Sequence, residues 1–547
     1  MIPSKLPTSE EELIRGSPKA IAHLRSQLER QRLGLLFGAG ISTDFKFPPW
    51  TELVRRIALR PEVAGKTLRA RLLKRETNKS LSSLTQVMFG RFRDRRIAAQ
   101  KLSLPLTFLQ EQQIRTRWMR LVHDELYRRV NLRNRKRTLS KHEFLQSFLP
   151  LIKKSAMTVN YNFDDTLEQL LLLNRTDDEK LTTRGYETVF RPNAQFQKNS
   201  GVIYHPNGYL PSIFEDGTSP DLVFSDDSFQ DQLISVASGQ YVQLSNFIFR
   251  NTCLLIGLSL SDSTLQHLLR QNAVSNPGHL HYLVHFVEDQ KGYDCETFQA
   301  VFDANFSSYN VYTLFLDRRG IRLLSEIVST PSPNLAAKFP KGHHKFVYYI
   351  VGAIGAGKST ATSNLQCLVT YDEWIDERRP DMARPEKGLS RAKIEAINAW
   401  TAEQFRKKNI AVCSSPNGIH LIDRCPIDPL TFGQPRERKA KAGRLLESIT
   451  DSGSRPLQKG HVIYLDADPS DIKTRISYKH KYWKDDELAQ LIKNINEVYE
   501  SVAKTVICTR GRNPQSVAKE IVRVIFTDEY REVDLGKCLK KLGGVKR

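Results

Sequence analysis

Directly after the apolar run Lys345–Val351 comes Gly352-Ala353-Ile354-Gly355-Ala356-Gly357-Lys358-Ser359-Thr360, a G-x-x-x-x-G-K-S spacing. In a strand-to-helix turn of this kind the loop amides cradle nucleotide phosphates, the lysine reaches the β and γ oxygens, and the serine hydroxyl ligates magnesium. Gly352, Gly355, Gly357, Lys358, Ser359 and Thr360 are therefore expected to bind ATP or another nucleoside triphosphate with Mg2+. Two later runs end in charge, Tyr371-Asp372-Glu373 and Ile422-Asp423-Arg424. A carboxylate at the tip of a strand beside such a loop holds magnesium or accepts a hydroxyl proton, and a neighbouring arginine clamps the transferring phosphate. Asp423 thus joins Ser359 as a candidate metal ligand, with Arg424 as the clamp. The stretch from Asp471 to Lys481, with Lys473, Arg475, Lys479 and His480, reads as a basic lid.

A second constellation lies nearer the start. Leu33-Gly-Leu-Leu-Phe37 is strand-like and runs into Gly38-Ala39-Gly40-Ile41-Ser42, then a helix entry at Pro49-Trp50. Glycines without a Cβ let a backbone turn sharply and approach a diphosphate, with the next helix N-terminus directed at the anion. Ala156 to Asn160 is a further β-rich run, and it leads through Asn162 and Asp164 into an amphipathic helix. Polar residues at the C-terminal end of a parallel strand sit where open α/β sheets keep their ligands. Asn162 and Asp164 are therefore site candidates.

These residues need two parallel sheets to position them. Strand runs alternating with amphipathic helices predict an α/β protein of two three-layer domains. The first is expected over residues 1–330, with a helix pair over 9–33 and a basic helical insertion over about 51–147. A linker is expected over 331–344, the second domain over 345–527, and a mobile basic tail over 528–547. With 547 residues the chain is long enough for several cores. Its seven cysteines are scattered without a Cys-x-x-Cys pair, which suits reduced thiols and neither a disulfide framework nor a zinc ribbon. No apolar run approaches the length a membrane helix needs, and the N-terminus lacks a hydrophobic signal core, so a cytoplasmic protein is expected. The net charge of +22 invites a nucleic-acid partner. Much of it lies between Arg91 and Arg137, interleaved with apolar residues as on the wet face of a helical bundle.

The first half resembles the sirtuin superfamily, nearer its bacterial defence-associated branch than the protein deacetylases. The resemblance rests on Gly38-Ala39-Gly40-Ile41-Ser42, Asn162-Phe163-Asp164-Asp165 with Leu167-Glu168, Tyr204-His205-Pro206-Asn207-Gly208-Tyr209 and Gly257-Leu258-Ser259-Leu260-Ser261-Asp262, in that order. It implies that Gly38, Ala39, Gly40 and Ser42 hold the NAD diphosphate, with Gly257 and Ser259 flanking the cofactor. It also implies that Asn162 positions water or the nicotinamide ribose and that Asp164 lies near the nicotinamide. The family pattern has His immediately before the glycine. Here Asn207 stands there and His205 two positions earlier, so either His205 takes the base role or Asn207 fills the position. The four-cysteine zinc module of the deacetylases has no counterpart between Gly208 and Asn251, which carries no cysteine. No zinc is expected, and hydrolysis of NAD itself is implied over acyl-lysine chemistry.

The second half resembles the deoxynucleoside and thymidylate kinase group, which implies that Asp372 or Glu373 meets the phosphate acceptor, that Asp423 and Arg424 form an acid–arginine pair, and that Arg475 belongs to the lid. Joined, the two resemblances imply an NAD-consuming antiphage effector of abortive infection, gated by a nucleotide-binding module. A homo-oligomer and a phage-derived trigger belong to that expectation. The alternatives are a nucleoside or nucleotide kinase with an NAD-binding regulatory domain, and a nucleotide-regulated nucleic-acid-binding protein.

Overall fold

The computed structural model describes residues 3, 5–65, 80–155, 157–175, 186–192, 201–214, 218–219, 222–260, 262–340, 342, 344–377, 389–432, 435–479 and 484–542. Two sheets organise the chain. The first holds β1 (Leu33–Phe37), β2 (Met157–Asn160), β3 (Tyr186–Val189), β4 (Gly201–Tyr204), β5 (Thr252–Ile256), β6 (His281–Phe286) and β7 (Val311–Leu316), in the order β3-β4-β2-β1-β5-β6-β7. The second holds β8 (Lys345–Gly352), β9 (Val369–Tyr371), β10 (Gly418–Asp423), β11 (His461–Asp466) and β12 (Thr505–Cys508), in the order β12-β11-β8-β10-β9. Every pairing within both sheets is parallel. The α/β class expected from the sequence is what the chain adopts.

Each sheet reverses its strand order beside its first strand. β1 lies between β2 and β5, and β8 between β10 and β11. A crevice opens at the C-terminal ends of the strands at such a reversal, and ligands of open α/β sheets settle there. The glycine turn after β1 and the G-x-x-x-x-G-K-S loop after β8 both sit at these points.

The N-terminal helix pair forms as Glu10–Gly16 and Pro18–Glu29. The second helix is not amphipathic in use: Lys19 to Leu28 are all buried. One side packs on β1 and the helix Arg318–Ser329, and the other lies against β8 and β10 of the second sheet. Strand β8 shows the consequence in its alternation. Phe346, Tyr348 and Ile350 belong to the core shared with the first half, whereas Val347, Tyr349 and Val351 belong to a core of the second half alone. Successive strand residues face opposite sides, so on one face of this sheet the helix Pro18–Glu29 of the first half packs beside the second half's own helix Pro514–Thr527.

Two boundary expectations are corrected. Residues 331–344 are not a bare linker, since Ser332–Lys338 is helical. The Ser332 hydroxyl accepts from Arg25 at 2.8 Å and from Asn417 at 2.6 Å, which pins this segment between the halves. Nor is 528–547 a mobile tail over its described part. Val533 and Gly460 form an isolated antiparallel bridge, and Leu535–Leu542 is a helix whose Leu535 and Leu539 are buried against the helix Arg438–Ile449. Lys540 and Lys541 lie on its wet side, while the apolar i, i+4 pair anchors it.

Among the described residues of the basic insertion run the helices Trp50–Ala58, Leu81–Gln100, Phe108–Tyr127, Arg135–Ser140 and Glu143–Lys154. Trp118 holds it together, its ring 5.6 Å from Phe89 and 5.4 Å from Phe92.

Candidate functional site

At the tip of β8 the backbone turns through Gly352, Gly355 and Gly357, with φ of 144°, 81° and 100°. Side chains disfavour such angles, so glycine is needed for the loop to curl around an anion. The loop ends at the helix Lys358–Ser363. Lys358 is buried and donates to the Gly352 and Ala353 carbonyls at 3.0 and 2.9 Å. Burial and then the Arg424 charge lower its pKa, against the opposing pull of Asp423, Asp428 and Glu373. Ser359 and Thr360 are exposed at the mouth.

The Ser359 hydroxyl donates to Asp423 Oδ2 at 2.8 Å. Asp423 is fully buried at the tip of β10, and its Oδ1 has no hydrogen-bond partner among the described residues. A buried carboxylate oxygen left open costs free energy unless a cation or donor completes it. A hydroxyl and a carboxylate so placed match the hard-oxygen preference of Mg2+. The expected pair Ser359 and Asp423 therefore fits that ion.

Arg424 follows with φ of 72°, a left-handed angle unusual for a bulky residue. It is held there by Glu373, whose Oε1 accepts from its Nε at 2.6 Å, and its guanidinium stands 5.4 Å from the Trp374 ring centre. Burial opposes ionisation of Glu373, but the Arg424 charge and its hydrogen bond prevail and hold that carboxyl below its ordinary range. Of the two acidic candidates, Glu373 belongs to the cluster and Asp372 is exposed. Arg475, on the helix Pro469–Lys479, donates to the Gly355 carbonyl at 3.1 Å and so touches the phosphate loop. His480 and Lys481 lie outside the described residues.

Lys408 was not foreseen. Its ammonium donates to the main-chain carbonyls of Glu373 and Asp423, at 2.9 and 2.8 Å, tying the tips of β9 and β10 together. The signal was present in the stripe Thr401, Phe405, Lys408 and Val412, where a lysine stands at a core position of the helix Arg391–Ser414.

The first site is equally compact but differently used. The Asn162 amide donates to the Gly38 carbonyl at 2.9 Å and to the Ser42 hydroxyl at 3.2 Å, and Ser42 donates to Asp164 Oδ2 at 2.9 Å. Asn162, Asp164 and Ser42 are thus one buried cluster against the glycine turn. The turn itself departs from expectation. The Gly38 and Gly40 amides donate to the Ile256 and Gly257 carbonyls, each at 3.0 Å, instead of pointing at an anion. A Cβ on Gly38 would stand 2.5 Å from the Gly257 carbonyl oxygen, and one on Gly40 2.7 Å from the Gly257 Cα. The glycines are there so that the turns after β1 and β5 can meet. The helix entry read at Pro49-Trp50 is where the helix Trp50–Ala58 begins, and two short 3-10 turns, Ala39–Ile41 and Thr43–Phe45, lie between it and the glycines. Ala39, Gly40 and Ser259 remain exposed at the mouth.

His205 is buried under this cluster. Its Nδ1 bonds the Asn162 carbonyl at 2.8 Å and its Nε2 bonds Glu168 Oε1 at 2.7 Å. Burial alone would lower the imidazole pKa, but the Glu168 carboxylate and both hydrogen bonds outweigh it and raise the pKa. With both nitrogens engaged, the ring fixes the loop that carries Asn162. Asn207 is also buried and accepts from Gln232 at 3.1 Å. Beside them Asp165, which sequence reasoning passed over, binds Arg135 at 2.6 Å and accepts from the Tyr127 hydroxyl at 2.9 Å. Arg135 is hidden in the basic run, which is why composition alone did not single it out.

Residues 156–311 match the SIR2-like domain family, and residues 447–526 match the shikimate kinase family. No curated protein matches the chain. Among solved structures, deoxyadenosine kinase from M. mycoides with bound dATP is similar at 16% identity, over 32% of this chain and 98% of that one, with a TM-score of 0.27. The same kinase with products dCMP and a flexible dCDP bound is similar at 15% identity, over 32% and 97%, with a TM-score of 0.25. The chain carries a SIR2-like domain and a P-loop kinase-like domain. It is a fusion of the two, as its two sheets are.

Proposed function

We propose that the chain is an ATP-dependent nucleoside or nucleotide kinase whose SIR2-like half binds NAD and regulates it. The observation that carries this reading is the open Oδ1 of buried Asp423 beside the Ser359 hydroxyl, at the foot of a glycine loop with Lys358 already in place. Bound Mg2+ would neutralise charge on the transferring phosphate. The loop amides and Lys358 bind the β and γ phosphates, exchanging the Gly352 and Ala353 carbonyls for phosphate oxygens. Glu373 accepts the proton of the acceptor hydroxyl, and Arg424, released from part of its grip on Glu373, faces the developing negative charge. Arg475 lies against the loop, where a lid must close to exclude water.

The test is turnover of ATP with each deoxynucleoside and its monophosphate. Lys358→Met and Asp423→Asn should each lower kcat by roughly a hundredfold or more while the protein stays folded at the assay temperature, as circular dichroism checks. Wild-type protein that phosphorylates none of these acceptors would overturn the reading.

A second reading is favoured by the buried Asn162, Ser42 and Asp164 cluster: an NAD+ glycohydrolase releasing nicotinamide and ADP-ribose, as an abortive-infection effector gated by the kinase-like half. An amide and a carboxylate suit the stabilisation of an oxocarbenium-like centre. The engaged nitrogens of His205 and the amide of Asn207 leave it without the general base the resemblance implies, and this places it second. Nicotinamide release that vanishes in Asn162→Ala and persists in Lys358→Met would reverse the order.

A further inference from the structure

Between Leu126 and His142 the chain contains no aspartate or glutamate. Arg128, Arg129, Arg133, Lys136, Arg137 and Lys141 are all exposed on this stretch, which joins the helix Phe108–Tyr127 to Glu143–Lys154. Arg128 reaches Glu125 at 3.3 Å. The other five make no ion pair among the described residues. The positive surface continues across a spatial neighbour. The Asp44 carboxylate bonds His142 at 3.0 Å, at the end of the stretch, and is also gripped by Arg318 at 2.6 and 2.8 Å. Arg318 and Arg319 are both exposed. Arg128 and Arg318 thus have carboxylate partners, whereas Arg129, Arg133, Lys136, Arg137 and Lys141 crowd together without one among the described residues, and like charges so placed draw polyanions from solution. The aromatic ring within the stretch, Tyr127, is buried with its hydroxyl on Asp165, so no ring there is offered to a base.

We propose that this surface, from Arg128 to Lys141 with Arg318 and Arg319, binds the phosphodiester backbone of nucleic acid without reading its sequence. Phosphate contacts position a strand and carry no sequence information, and no aromatic ring of this stretch stands ready to stack on a base. The inference is independent of which half is catalytic.

The test uses the full chain and fluorescent single-stranded DNA, duplex DNA and RNA of about 30 nucleotides, titrated by anisotropy over a range of salt. Binding should weaken with salt along a log–log slope of about −0.9 per phosphate neutralised. Charge reversal of Arg133, Lys136 and Arg137 to Glu should cost at least about tenfold in affinity and flatten the slope by roughly two to three. Lys439→Glu with Arg444→Glu, on the exposed side of the helix Arg438–Ile449, should change neither. Circular dichroism melting checks the fold, and Arg133→Ala with Arg137→Ala replaces the reversal if it melts early. The three polymers distinguish DNA from RNA as the source of the phosphates. No binding to any of them at low salt, equal loss in the control variant, or binding only to anionic lipid vesicles would each overturn the proposal.

Discussion

His205 shows how a residue type that suggests chemistry can be put to structural use. Its imidazole is buried between the Asn162 carbonyl and Glu168, so its protonated form is favoured by the native fold. A raised folded pKa contributes stability that is full below the unfolded value, about 6.5, and is lost as pH rises through the folded value. The difference in urea midpoint between wild type and His205→Leu should therefore be larger near about pH 6 than near about pH 9. Breaking a buried ionic pair from one side costs on the order of 3 kcal/mol, so the variant should be distinctly less stable at the lower pH. An equal gap at both pH values would show that the ring is neutral in the fold. Glu373 has the opposite sign, since its folded pKa is depressed. Its pairing with Arg424 stabilises the protein above the ordinary carboxyl range and is lost as pH falls through the depressed value.

At the level of elements, the turns after β1 and β5 are mutually dependent. Gly257 has φ of 65°, and a Cβ there would stand 3.0 Å from the Gly40 Cα. Gly257→Ala should cost about 2 kcal/mol or more in a denaturation experiment, through left-handed strain together with overpacking. Gly443, inside the helix Arg438–Ile449 with open space around its Cβ position, gives the contrast. Gly443→Ala should stabilise by up to about 1 kcal/mol, because alanine favours helix. These elements were also where sequence was most legible. The strands on either side of both glycine turns, and the loops that carry Asn162, Asp164, Asp423 and Arg424, could be placed because apolar runs ending in polar residues mark strand tips. What could not be read was which polar groups satisfy one another. The engagement of the Gly38 and Gly40 amides by β5, the burial of His205 and the tie made by Lys408 depend on contacts between segments distant in sequence, and no local pattern encodes them.

Across the whole molecule, the domain boundary that composition suggested is not a boundary in packing. The helix Pro18–Glu29 packs on β8 and β10 of the kinase-like sheet, and polar contacts seal the seam: His23 and Gln27 reach the Cys367 carbonyl at 3.2 and 2.7 Å, and Arg30 the Leu368 carbonyl at 3.0 Å. Linker prolines and a charged C-terminus misled because they are judged by type, whereas Ser332, Val533 and Leu535 are buried by partners contributed from elsewhere. A fragment of residues 345–547 would lose the cover that the helix Pro18–Glu29 gives to β8 and β10, Leu421 among them. It should be insoluble or molten, and the full chain should melt in one calorimetric transition with equal van't Hoff and calorimetric enthalpies. Two separated transitions would show that the halves are independent.

The helix Pro18–Glu29 also sets a clock. A segment enclosed on both sides cannot open locally, so its amides should exchange with deuterium only when the entire chain unfolds. Its isotope uptake would then report global stability for both halves at once, and any ligand that tightens either crevice would slow labelling at this one buried segment.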